Sequence, residues 1–231
     1  MERAQPANRR YPIPWGGGRG EGPVNTLYHF PLSSASYRVR IALALKGLTA
    51  EQVSLRLRAG EQRDPAYAAL NPQRLVPSLV LDDGAVLTQS LAIVEYLDET
   101  HPEPPLLPCE ARARAWVRAV AQAIACDIHP LNNLRVLFYL EQELGQPQAA
   151  VQAWYAHWIG LGFDALERRL AAPPVPGRFC CGDAPGLADL CLVPQVYNAR
   201  RYDIDLAPWP RIAAIDAACS ELDAFRRARP E

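Results

Sequence analysis

Four prolines, Pro102, Pro104, Pro105 and Pro108, crowd one short stretch of this chain. Each fixes its own φ and removes a backbone N–H, so neither a helix nor a strand runs through the segment. The chain is thereby divided, and the hydrophobic patterns on the two sides differ. Before the prolines, strands and helices alternate. A strand is expected over Thr26–Phe30, a helix over Ser34–Lys46 and a strand over Glu51–Leu55, a βαβ unit that is parallel and right-handed. Asp64 and Pro65 are the N-cap and first residue of a short helix. Ser78–Leu81 and Ala85–Leu87 form a hairpin around Asp82-Asp83-Gly84, and Ser90–Glu99 is helical.

Beyond the prolines the periodicity is helical throughout: Glu110–Asp127, Leu131–Leu144, Pro147–Leu170, Leu187–Asn198 and Ile212–Arg227. Leu187–Asn198 is so apolar that it reads as a central helix. The order β-α-β, short α, β-β-α is that of a thioredoxin-like unit. The expected fold is therefore an α/β thioredoxin-like N-terminal domain plus an all-α C-terminal domain. The boundaries are 24–107 for the first and 108–231 for the second. Residues 1–23, rich in Gly, Pro and Arg and without the apolar run of a signal peptide, are expected to be a disordered extension or an upstream-start artefact.

A net charge of −1 over 231 residues, with no polybasic run, disfavours nucleic acid or a lipid surface as partner. No apolar run is long enough to span a membrane. Six cysteines form no CxxC, and four histidines lack zinc spacing, so no metal site is expected. Cysteine usage of this kind points to free thiols in a reducing, cytoplasmic compartment. The adjacent Cys180 and Cys181 read as free loop thiols, Trp154, Trp158 and Phe163 as helix packing, and Gly186–Asp189 as a structural helix-start box.

Three places carry chemistry. Ser33-Ser34-Ala35-Ser36 opens a helix directly after a strand, so hydroxyls and unpaired N–H groups meet the positive end of a helix dipole, a setting that suits an anion such as a thiolate. Val76-Pro77 precedes a hairpin strand. A cis bond there turns the Val76 backbone outward toward a peptide-like ligand, and a trans strand-entry proline is the alternative. Gln89-Ser90 precedes an apolar helix, where Ser90 is either an N-cap alone or a cap whose hydroxyl and N–H also hold a carboxylate. All three lie on one edge of the expected sheet. They outline a groove for a short anionic peptide with its thiol at Ser33, the shape of a glutathione site.

From Thr26 to Arg229 the chain resembles the zeta class of glutathione transferases, the maleylacetoacetate and maleylpyruvate isomerases. The resemblance rests on Ser33–Arg40, Leu70–Pro77, Gln89–Leu97 and Ala188–Val196, with Asp127–Arg135 most similar to bacterial members. It implies glutathione as cofactor and a homodimer. By position it implies Ser33 at the sulfur with Ser34 and Arg38 in the same turn, Gln62 at the glycyl end, Val76 at the cysteinyl backbone, and Gln89 and Ser90 at the γ-glutamyl end. His129 and Asn133 approach from the helical domain. Ser33, Ser34, His129 and Arg201 are the expected catalytic residues, and Arg38, Arg135 and Arg201 the expected anchors for a small dicarboxylate. His129 polarises the substrate, acts as acid/base, or is a satisfied core histidine; the residues alone leave this open. The chain departs from many members at Ala35, where they carry Cys or Thr, and at Leu32, where they carry Arg.

The chemistry implied is cis–trans isomerisation of a maleyl keto-acid in the breakdown of aromatic compounds and amino acids. Two alternatives use the same site: a general transferase or dehalogenase of small α-halo acids, and a non-catalytic glutathione-binding module.

Overall fold

The computed structural model describes residues 25–230. The extension expected over 1–23 lies outside the described residues. Strand β1 (Thr26–His29) leads into helix α1 (Ser34–Leu45) and strand β2 (Glu51–Ser54). Two 3₁₀ turns, Leu57–Ala59 and Glu61–Arg63, precede helix α2 (Pro65–Leu70). The hairpin β3 (Ser78–Val80) and β4 (Val86–Thr88) and helix α3 (Ser90–Thr100) complete the unit. The sheet order is β2-β1-β3-β4, with β1 and β2 parallel and the other neighbours antiparallel. Local signals explain these elements. Asp64 accepts from Ala66 N–H at 2.9 Å with Pro65 at the first helical position. Ser33 caps α1 by accepting from Ser36 N–H at 3.2 Å.

The proline-rich segment is pinned at both ends. Lys46 Nζ donates to Asp98 Oδ1, His101 O and Pro104 O at 2.6–2.7 Å, and Asp98 accepts Leu106 N–H at 2.8 Å. The C-terminal half is all helical: α4 (Ala111–Gln122), α5 (Leu134–Phe138), α6 (Gln148–Leu170), α7 (Leu187–Arg201), α8 (Pro210–Ser220) and α9 (Asp223–Ala228). Helix α7 is buried along most of its length and packs on α1, α4 and α8. It starts against the proline segment. Leu187 N–H donates to Leu106 O at 2.8 Å, and a Cβ on Gly186 would sit 2.7 Å from that carbonyl. A serine or threonine is thereby excluded from this cap. Asp189 closes the start by accepting from Gly186 N–H and Cys180 N–H, each at 2.9 Å, which is the structural role expected of the box.

Helix α7 runs three residues past the expected Asn198, to Arg201, and three other helices are interrupted or start late. The run 110–127 is helix α4 continued by a π-helical turn, Ala123–Ile128, in which His129 N–H reaches Ile124 O at 2.9 Å. Against this turn Gly162 of α6 leaves room for the Ile128 side chain, which any Cβ would overlap. The run 131–144 begins only at Leu134, capped by Asn133, and ends in a second π turn, Tyr139–Glu143. The run 212–227 is broken where Leu222 is extended (ψ 134°). The break turns α9 back onto α1, where Tyr37 Oη donates to Phe225 O and Arg40 Nε to Ala228 O.

Candidate active site at the α1 N-terminus

Strand β1 ends at His29, and the chain turns so that Ser33 caps α1 with φ −72° and ψ 119°. The next two N–H groups, of Ser34 and Ala35, meet no backbone acceptor among the described residues, and no acidic residue occupies the first turn. The positive end of the α1 dipole therefore opens uncompensated. Ser33 and Ser34 both line one cavity of about 320 Å³ between the sheet edge and helices α5 and α7.

The second edge of the site lies at Val76 and Ser90. The Val76–Pro77 bond is cis, and Val76 N–H and C=O have no protein partner among the described residues. Ser90 is not the N-cap expected from its position. It is the first helical residue of α3, and Gln89 stands before it at φ 68°, ψ 114°, a conformation L residues rarely adopt. Gln89 Nε2 donates to Gln73 Oε1 at 2.8 Å.

Beneath Ser90 lies Arg38, 2 % exposed. Its Nη1 donates to Ser90 Oγ at 3.1 Å, while Nε and Nη2 have no partner among the described residues. Burial lowers its pKa, and no carboxylate pairs with it among the described residues. An unpaired buried guanidinium is costly unless an anion arrives. Arg38 opens into a second pocket that it shares with Gln89, Ser90, Val76 and Ala35. Arg38 shares this second pocket with Arg135, whereas Arg201 lines the first cavity.

The helical half supplies the opposite wall. The π turn, with Asn132 Nδ2 donating to Tyr155 O at 3.2 Å and Trp154 Nε1 to Leu131 O at 2.9 Å, holds the 129–133 loop against α6. His129 Nδ1 lies 2.8 Å from Ser34 Oγ, and its Nε2 lies 3.4 Å from Asn133 Nδ2. Burial first, then the Arg38 and Arg135 charges, push its pKa down to about 3. Arg200 and Arg201 diverge at the end of α7. Arg200 Nη1 binds Asp216 at 2.6 Å, whereas Arg201 lines the cavity and, among the described residues, donates only to Asn198 Oδ1 at 3.3 Å.

Of the expected site residues, Ser33, Ser34, Gln62, Val76, His129, Asn133, Arg135 and Arg201 meet in the first cavity, and Arg38, Gln89 and Ser90 in the second. Val76, His129, Asn133 and Arg135 border both, so the two are continuous. Gln62 contributes a buried Oε1 without a partner. Sequence reasoning missed Arg58, Arg63 and Arg74, which line the first cavity with Arg135 and Arg201; among the described residues no aspartate or glutamate does. It also missed the stacked rings of Tyr155 and Tyr202, with centroids 3.6 Å apart, on its wall. Arg58 alone carried a signal, in its spacing from Gln62 on one loop. The tyrosines had none.

Residues 27–105 match the glutathione S-transferase N-terminal domain family, and residues 148–227 its C-terminal domain family. The chain is 54 % identical over 205 residues to a maleylpyruvate isomerase from Ralstonia sp., covering 88 % of this chain and 96 % of the relative. A solved holo maleylpyruvate isomerase, described as a bacterial glutathione S-transferase of the zeta class, superposes with a TM-score of 0.85 at 53 % identity, covering 89 % of this chain and 96 % of that one. The chain belongs to the zeta-class glutathione transferase family. A maleylacetoacetate isomerase from Methylobacterium extorquens AM1, solved with malonate and glutathione bound, superposes with a TM-score of 0.86 at 44 % identity, covering 89 % and 96 % of the two chains. Within this zeta-class chain, Leu32 lines the arginine-rich cavity and Ala35 the pocket at Ser90.

Proposed function

We propose that the chain is a glutathione-dependent cis–trans isomerase that converts a maleyl keto-acid, maleylpyruvate or maleylacetoacetate, to its fumaryl isomer. The observation that carries this is one cavity holding the Ser33 cap, a bare helix N-terminus and five arginines without a single acid. Such a site suits a thiolate beside a dicarboxylate.

The residues present fit the cofactor. Arg38 and Ser90 form a buried cationic seat for its γ-glutamyl carboxylate, with Gln89 and Gln73 beside it. The unpaired Val76 main chain suits its cysteinyl peptide, and Gln62 its glycyl end. When bound, glutathione supplies a thiolate that adds to the cis double bond, leaves a single bond free to rotate, and is expelled unchanged. The chain's part is electrostatic. A free thiol with pKa near 8.5 is only a few per cent ionised at pH 7, and a downward shift of about 2 units makes most of it thiolate. Ser33 Oγ accepts from Ser36 N–H, so its own proton is free to donate to the sulfur. Arg135 and Arg201 hold the substrate carboxylates. Assembly as a homodimer and a cytoplasmic location complete this reading, resting on the family resemblance and the six free cysteines.

Turnover of each maleyl substrate with glutathione at a small fraction of the substrate concentration tests the reading. Complete conversion to the fumaryl product with glutathione recovered intact supports it. Stoichiometric loss of glutathione indicates a transferase or dehalogenase, and no conversion indicates a binding module.

A further inference from the structure

His129 is too strongly held in its neutral form to serve as a proton donor near neutral pH, yet both its ring nitrogens are engaged. Their roles follow from a residue four positions away. Asn133 caps α5, with its Oδ1 accepting Arg135 N–H at 3.1 Å. That bond fixes the orientation of the amide, so the face it turns to His129 Nε2 is the NH₂ group. Nε2 must then accept, and the ring proton lies on Nδ1. Nδ1–H therefore donates to Ser34 Oγ at 2.8 Å. The Ser34 oxygen is occupied from behind, and its hydroxyl proton is left to point away from the ring. Ser34 lines the same cavity as Ser33.

We propose that His129 is a positioning residue: through the chain Asn133 → His129 → Ser34 it makes the Ser34 hydroxyl a second hydrogen-bond donor to the glutathione thiolate, alongside Ser33. The inference rests on the glutathione reading above but not on any particular substrate. The two serines are matched devices. Ser33 has its acceptor role filled by a backbone N–H of its own helix, and Ser34 by a side chain 95 residues away in the sequence. Each hydroxyl proton is then kept off its own donor, and both serines line the cavity at the α1 N-terminus. The charges of Arg38 and Arg135 add to burial in disfavouring the imidazolium that would carry protons on both nitrogens. The ring acts as a fixed dipole.

The test reads the pKa of glutathione bound to the intact enzyme, from thiolate absorbance in the ultraviolet as pH is varied, with no second substrate present. His129→Leu removes the donor to Ser34 and raises the bound-thiol pKa by about one unit, a tenfold loss of thiolate below that pKa. His129→Asn keeps an N–H near the place of Nδ1–H and restores most of the shift. A purely structural histidine would show no such difference between the two. In a Ser34→Ala background the two His129 variants give the same value, because the hydroxyl they act through is gone. Equal thiol pKa values in the wild type and both His129 variants overturn the proposal and leave the isomerase reading standing if turnover of the wild type persists. A wild-type bound thiol that titrates like free glutathione overturns both. Nitrogen-15 shifts of the wild-type ring give a check that needs no variant. A protonated Nδ1 and bare Nε2 agree with the chain of donors, and the opposite tautomer contradicts it.

Discussion

Arg38 Nη1 donates to Ser90 Oγ across 3.1 Å of protein interior, and the other two guanidinium nitrogens have no partner among the described residues. The pair makes a fixed positive charge under a hydroxyl that accepts from it and so keeps its own proton for a ligand. A ligand carboxylate at Ser90 is then the group that balances the charge.

Arg38→Met therefore separates stability from affinity. Removing a buried charge relieves a desolvation penalty of several kcal/mol and forfeits a bond to Ser90 of about 1–3 kcal/mol. The free protein keeps or raises its thermal midpoint, while the rise in midpoint on adding glutathione shrinks. Calorimetry should show glutathione affinity weaker by about 10- to 100-fold, equivalent to 1.4–2.8 kcal/mol. A variant that is less stable but binds normally would show that Arg38 is only a packing group.

Ser33 serves two ends, and two substitutions divide them. Ser33→Ala loses the cap, worth about 1 kcal/mol or about 2–4 °C in a chain of this size, and loses the donor to the sulfur. Turnover falls by about 100-fold, the scale for removing one preorganised donor. Ser33→Asp keeps an N-cap acceptor but brings a negative charge to the thiolate, so stability recovers and turnover does not. Thermal melts and initial rates on the same preparations check both.

The adjacent arginines at the end of α7 predict opposite phenotypes. Among the described residues Arg201 has only Asn198 as a hydrogen-bond partner, so Arg201→Gln lowers kcat/KM by about 10- to 100-fold through KM, the worth of one or two charge-assisted bonds. Arg200 is committed to the buried Asp216, so Arg200→Gln lowers the melting temperature and leaves KM near the wild-type value.

Two histidines, buried His29 and half-buried His129, set an acid limit. Burial and Arg40 hold His29 at about 4, and burial with Arg38 and Arg135 holds His129 at about 3, each from an ordinary 6.5. In both cases the unfolded chain binds the proton more readily. Their contribution to stability is therefore complete above pH 6.5 and is lost as pH falls toward 4, at no more than about 1.4 kcal/mol per pH unit for each histidine. Urea midpoints between pH 7 and 4.5 should fall, and His129→Asn should flatten that slope.

Local chemistry made much of the fold legible. The serine after β1, the Asp64-Pro65 pair and the Asp82-Asp83-Gly84 turn each act within a few residues, and each stands where the pattern placed it. The apolar run of α7 announced its burial. What escaped was set by distant contacts. The π turn before His129 answers to the room left by Gly162, and the break at Leu222 to the docking of α9 on α1. Ser90 looked like a simple cap because nothing nearby in sequence reports Arg38, which lies 52 residues earlier. The arginine-lined wall likewise draws on the 3₁₀ turns, the Asn71–Val76 loop, α5 and α7, segments that meet only once the chain has folded.

The most direct measurement is a crystal structure of the chain with glutathione bound. The account predicts the cysteinyl sulfur within hydrogen-bond distance of Ser33 Oγ, its peptide paired with the Val76 main chain, and the γ-glutamyl carboxylate on Ser90 above Arg38. A sulfur directed away from the α1 N-terminus, with Ser33 contacting no part of the ligand, would contradict it.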